Sequence, residues 1–160
     1  VSKNDEKIAM RAFELNPEMI LKKKNFVSWK INWEDKSKNI IKIAEEININ
    51  LDSIVFIDDN PIERDQVKSS LPEVYVPDWS IDPTMYKYKL AEMRCFDKLS
   101  ITNDDKNRTK SYRENIKRVS YKENILSKEQ WLHQLNTIID IDKLDTINLI
   151  RVGQLFNKTN

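Results

Sequence analysis

The chain has 160 residues, with 27 basic side chains against 26 acidic ones and a net charge of +1. That length suits one domain, or one domain with part of another, and the charge balance offers no general attraction for nucleic acid or an anionic membrane. Apolar residues make up 39% of the chain, enough for a core, yet the longest apolar runs, such as Ile54–Ile57, fall far short of the roughly 18 residues that span a bilayer.

Val1 stands directly before a Ser-Lys-Asn-Asp turn, and the chain stops within a segment of helical period. An interior piece of a longer protein is therefore expected. Asn4 or Asp5 can cap a helix running to Leu15, with Ile8, Ala9, Ala12 and Phe13 on one face, and Asn16-Pro17 ends it. Met19–Leu21 and Phe26–Ile31 are short strand candidates. Ile40, Ile43, Ala44 and Ile47 recur at helical spacing and predict a helix from Lys36 to Ile47. Ser53–Ile57 predicts a buried strand. Asn60, Pro61 and Glu63 then read as a capping box with proline at the first helical position, opening a helix to about Leu71. Val74–Val76 is a further strand candidate, and Asp82-Pro83 opens a helix bearing Tyr86, Leu90 and Met93. Alternation of strand and helix over this stretch argues for a parallel sheet flanked by helices.

The pattern changes after Leu99. A charged helix starting at Thr102 or Asn103 has only a thin apolar stripe of Tyr112, Ile116 and Val119, and reads as a connector. Ser127 with Gln130 suggests another capped helix, through Trp131, Leu132 and Leu135. Thr137–Ile141 is a strand candidate, and Leu149, Val152 and Phe156 mark a last amphipathic segment. Three segments are thus expected: a core over 1–99, a helical connector over 100–123, and the start of a second α/β unit over 124–160.

Four residues carry the chemistry. Asp58 and Asp59 follow the apolar run, at the carboxyl end of a strand, where open α/β sheets gather ligands. Paired carboxylates there can hold a hard divalent cation beside a phosphate, although the same residues with Asn60 also suit a strand end and a helix cap. His133 is the only histidine, so carboxylates would hold any metal, which favours magnesium. Lys36 lies 22 residues before Asp58 (58 − 36) at the start of the preceding helix, where its ammonium can offset a phosphoryl group or hold a carboxylate. Ser2 offers a hydroxyl at a strand end before a helix. Cys95, the only cysteine, excludes an internal disulfide and fits a reducing cytosol, so a cytoplasmic setting is expected. It is also the only thiolate candidate for thioester chemistry, while a buried structural thiol is its plainer reading.

A hydroxyl after a strand, a lysine opening a helix, and a double aspartate after the next strand resemble the second, third and fourth motifs of the haloacid dehalogenase (HAD) superfamily. Val1-Ser-Lys-Asn-Asp5, Trp29-Lys-Ile-Asn-Trp-Glu-Asp-Lys36, Val55-Phe-Ile-Asp-Asp-Asn-Pro-Ile-Glu-Arg64 and Gln154-Leu-Phe-Asn-Lys-Thr-Asn160 are similar to its FkbH-like branch. This resemblance implies a Rossmann-like HAD core whose nucleophile-bearing first strand precedes Val1, and an acyltransferase-like unit over 124–160. It implies catalytic roles for Ser2, Lys36 and Asp58, with Ser2 and Lys36 on phosphate, Asp58 and Asp59 on magnesium, and Asn60 and Cys95 as lesser candidates. The implied activity releases phosphate from a small glycolytic acyl phosphate and loads a glyceryl group onto an acyl carrier protein for polyketide-type biosynthesis. Its rivals are a HAD phosphatase or transferase acting on another small phosphate, as in surface polysaccharide synthesis, and a non-catalytic carrier-docking module. The chain without its first strand is expected to be inactive. Asp140-Ile-Asp142 imitates the nucleophile motif but lies downstream of the other motifs. The connector carries seven basic residues between Lys106 and Lys122 against Glu114, a solvated face or a docking surface for an acidic carrier protein.

Overall fold

A computed structural model describes residues 1–98, 100–123 and 138–156. Residues 1–121 form one compact unit and residues 122–160 a second. In the first unit, α1 (Glu6–Leu15) starts at Asp5, whose carboxylate accepts the Ile8 amide, and ends at Asn16. Its Phe13 meets Phe26 edge to face, with ring centroids 5.3 Å apart, and Trp29 Nε1 donates to Glu6. Ile8, expected to share a face with Phe13, is exposed.

The predicted bounds of the second helix match α2 (Lys36–Ile47), which closes on Asn48 in the left-handed conformation that asparagine tolerates. α3 (Pro61–Ser70) has proline in its first turn and Asn60 as its cap, accepting from the Ile62 amide. Glu63 does not complete the expected capping box; it turns to Lys3 instead. Ile40 of α2 and Val67 of α3 pack with Phe56, Leu71 and Val74, and Leu51, Ile54 and Val76 close the edge. Each such side chain, fully buried, contributes roughly 1.5–3 kcal/mol, so this cluster anchors the unit.

The strand expectations need correction. Among the described residues, pairing consists of two isolated parallel bridges, Ser2 with Ile31 and Val55 with Tyr75, rather than a sheet. At several of the expected strands local hydrogen bonds take backbone groups instead. Asn16 draws in the Glu18 amide by its side chain and the Met19 amide by its carbonyl, leaving Ile20 exposed. A 3-10 turn at Lys23–Asn25 consumes the approach to Phe26, and another at Leu51–Ser53 consumes the start of the Ser53–Ile57 run. Side chains and turns that satisfy the backbone locally compete with a ladder.

Beyond Val76, Asp82 caps a 3-10 turn that continues into α4 (Tyr86–Glu92), and Trp79 packs on Tyr86 at 5.4 Å. α5 (Asn103–Glu123) begins with a reciprocal cap: Thr102 accepts the Asp105 amide, and Asp105 accepts the Thr102 amide and hydroxyl. The helix expected as a solvated connector is fastened to the first unit, because Arg113 donates to the main-chain oxygens of Lys23 and Phe26. No described helix is long and apolar enough to cross a membrane.

In the second unit, Asp145 accepts the Ile147 and Asn148 amides and opens α6 (Leu149–Phe156). The strand expected over Thr137–Ile141 is absent from its described part, where Ile138, Ile139 and Ile141 are exposed. Thr137, His133 and the expected cap of Ser127 with Gln130 lie outside the described residues, as do Leu99 and the last four residues of the resemblance.

Candidate functional site

Two helix starts bring the central residues together. Lys36 is the first residue of α2, and Asp58 stands three residues before α3, beyond the Val55 bridge. Lys36 Nζ donates to Asp58 Oδ2 at 2.5 Å, with the two side chains only 12% and 8% exposed. The other carboxylate oxygen of Asp58 accepts the Asn60 amide at 3.0 Å, which folds the Asp58-Asp59-Asn60 turn back on itself. Asp59 is exposed at the same turn.

Arg64, one turn into α3, holds that turn from below. Its Nη1 donates to the main-chain oxygens of Asp58 at 2.7 Å and Asp59 at 3.1 Å, and its Nη2 reaches the Trp79 oxygen at 3.4 Å. A guanidinium suits this task because its fixed fork can address several oxygens at once.

Ser2 is half-buried, and its main chain bonds to the Lys30 oxygen and the Asn32 amide, each at 3.0 Å. Its neighbour locates it. Lys3 donates to Glu63 Oε1 at 2.8 Å, and this bond is the main cause of its raised pKa, with Asp35 and Asp58 adding to it. The Ser2 segment is therefore clamped to the first turn of α3. Glu63 Oε2 is buried without a hydrogen-bond partner.

Asn60 serves as the cap of α3 and is exposed. Cys95 sits exposed in a 3-10 turn at Arg94–Phe96, so the expectation of a buried thiol is corrected: a three-residue turn following α4 leaves it uncovered. Asp140 and Asp142 lie exposed in irregular chain of the second unit. Sequence reasoning missed Arg64, Lys3 with Glu63, and the fully buried Asn39; a polar residue on the apolar face of α2 was the only available signal for the last.

Among the described residues no group of three or more acidic, histidine or cysteine side chains is arranged to hold a metal. Asp58 and Asp59 are nonetheless an all-oxygen pair on one turn. Such a donor set fits magnesium, which is bound through one or two carboxylates with water and substrate phosphate completing the octahedron.

No family model matches the chain, and no curated protein matches it. Among solved structures, the chain is similar to the N-terminal part of the protein BF1531 from Bacteroides fragilis, which contains a phosphatase domain and was crystallised complexed with Mg. The two share 42% sequence identity with a TM-score of 0.58, over 62% of this chain and 26% of that one. The chain thus spans about a quarter of that crystallised N-terminal part.

Proposed function

We propose that this chain is part of a HAD-type, magnesium-dependent phosphatase acting on a small phosphorylated substrate. The observation that carries the reading is the nearly buried Lys36–Asp58 pair, with Asp59 on the same turn and the Ser2 segment fastened to the first turn of α3 through Lys3 and Glu63. The likeness to a magnesium-bound phosphatase domain supports it.

In this reading the Ser2 hydroxyl and the Lys36 ammonium take the phosphoryl oxygens, and Lys36 offsets charge as it develops in the transition state. Asp58 and Asp59 would hold magnesium, which when bound supplies charge neutralisation at the phosphoryl oxygens. Arg64 keeps the two acids in place through their main-chain oxygens. By the sequence resemblance, the attacking carboxylate is an aspartate of the full-length protein other than Asp58 and Asp59. Its oxygen bonds to phosphorus as the leaving-group oxygen departs, and water then releases phosphate. The finer proposal, from the sequence resemblance, is that phosphate release is coupled to loading a glyceryl group onto an acyl carrier protein.

Full-length protein assayed with magnesium and a panel of small phosphomonoesters and acyl phosphates tests the reading. Lys36→Met should lower kcat/KM at least about a hundredfold, the scale of losing one preorganised charge at the transition state. Unchanged phosphate release in that variant contradicts the proposal. Mass analysis of the carrier protein after the same reaction decides the glyceryl step separately.

A further inference from the structure

Asn39 has no exposure to solvent, and it occupies the fourth position of α2 beside the core residue Ile40. Asparagine is a poor residue for a helix interior, and an unpaired amide at such depth would cost several kcal/mol. An apolar side chain would carry no such penalty, so the amide has to be explained by its bonds. Asn39 Nδ2 donates to Asn32 Oδ1 at 2.7 Å, and Asn32 Nδ2 donates back to Asn39 Oδ1 at 3.3 Å. Asn32 Oδ1 also accepts the Glu34 amide at 3.0 Å, which fixes the orientation of the pair, since a reversed Asn32 amide would set donors against two donors. The main-chain N–H of Asn32 in turn donates to the Ser2 oxygen at 3.0 Å. This amide pair, buried at Asn39 and half-buried at Asn32, therefore links the helix that begins at Lys36 with the loop before it and, through one further bond, with Ser2.

We propose that Asn39 is a positioning residue of the phosphate site: paired with Asn32, it holds Lys36 and Ser2 in register with each other. Asn39 is not placed in contact with the reacting groups, and the inference rests on the proposed phosphate reading. A buried polar network of this kind specifies one arrangement because every alternative leaves a group unsatisfied.

Asn39→Asp supplies the test. Its carboxylate sets an oxygen against Asn32 Oδ1 and cannot donate, whereas the protonated acid recovers the donor. Burial raises the pKa of such a carboxyl, so recovery should come in mild acid. Protection of the Asn32 and Glu34 amides from hydrogen exchange should fall roughly tenfold at pH 8, the scale of one lost hydrogen bond, and return toward the parent value at pH 5. Affinity of the full-length protein for inorganic phosphate with magnesium, relative to the parent at each pH, should weaken and recover in parallel. Ser37→Ala, at a neighbouring buried position, should change neither. Unchanged protection at Asn32 and Glu34 in Asn39→Asp, no recovery in acid, or an equal effect from Ser37→Ala overturns the inference. A parent protein that binds no phosphate overturns the phosphate site itself, and this inference with it.

Discussion

Lys36 and Asp58 are both nearly buried, and each is the other's principal compensation for leaving water. Removing one partner of such a pair strands a charge, which costs roughly 3–5 kcal/mol, whereas replacing both by apolar groups is often close to neutral. Lys36→Met should therefore destabilise the chain strongly, and Lys36→Met combined with Asp58→Leu should recover most of the loss, both read from urea unfolding. A single variant as stable as the parent would show that the pair is solvated in solution. These two residues were legible in the sequence because order and residue type sufficed: an acid after an apolar run and a lysine at a helix start. Arg64 and Asn39 were not legible. Their contributions run through main-chain oxygens and a buried amide; Arg64 leaves no mark in spacing, and Asn39 only that of a polar residue on an apolar face.

Helices with a cap, an apolar stripe and a stop were readable to within a few residues, as α2 and α3 show. Strands were not, because their formation depends on a partner elsewhere in the chain while turn-forming side chains act locally. The apolar Met19–Leu21 run still loses to the Asn16 turn. Arg113 fastens α5 to the Lys23–Phe26 turn, and Arg108 and Lys98 pair with Asp105, contacts that counting charges along the chain does not reveal. That carboxyl is held well below the usual carboxylate range, first by the Lys98 ammonium and then by the Thr102 amide and hydroxyl. A depressed folded pKa means that the stabilisation is complete above the unfolded value of about 3.9 and fades only as pH falls below it. Asp105→Asn should therefore lower the melting temperature at pH 7, with the gap to the parent narrowing below about pH 4. A gap that stays constant through strong acid would assign the effect to helix propensity rather than to charge.

At the scale of the molecule, the first unit puts a lysine, two acids and a hydroxyl-bearing segment at the starts of α2 and α3, and packs the same helices through Ile40 and Val67. The core that stabilises the unit therefore also sets the distance between the charges. Under the proposed function, Asp58 and Asp59 contribute carboxylates to a magnesium site against a phosphate-binding lysine. Calorimetric titration of magnesium into the full-length protein, compared with Asp58→Asn, tests it most directly. Oxygen ligands and their charge set affinity for a hard cation, so removing one carboxylate should weaken binding by about tenfold or more. Equal magnesium affinity in the two proteins would contradict the account.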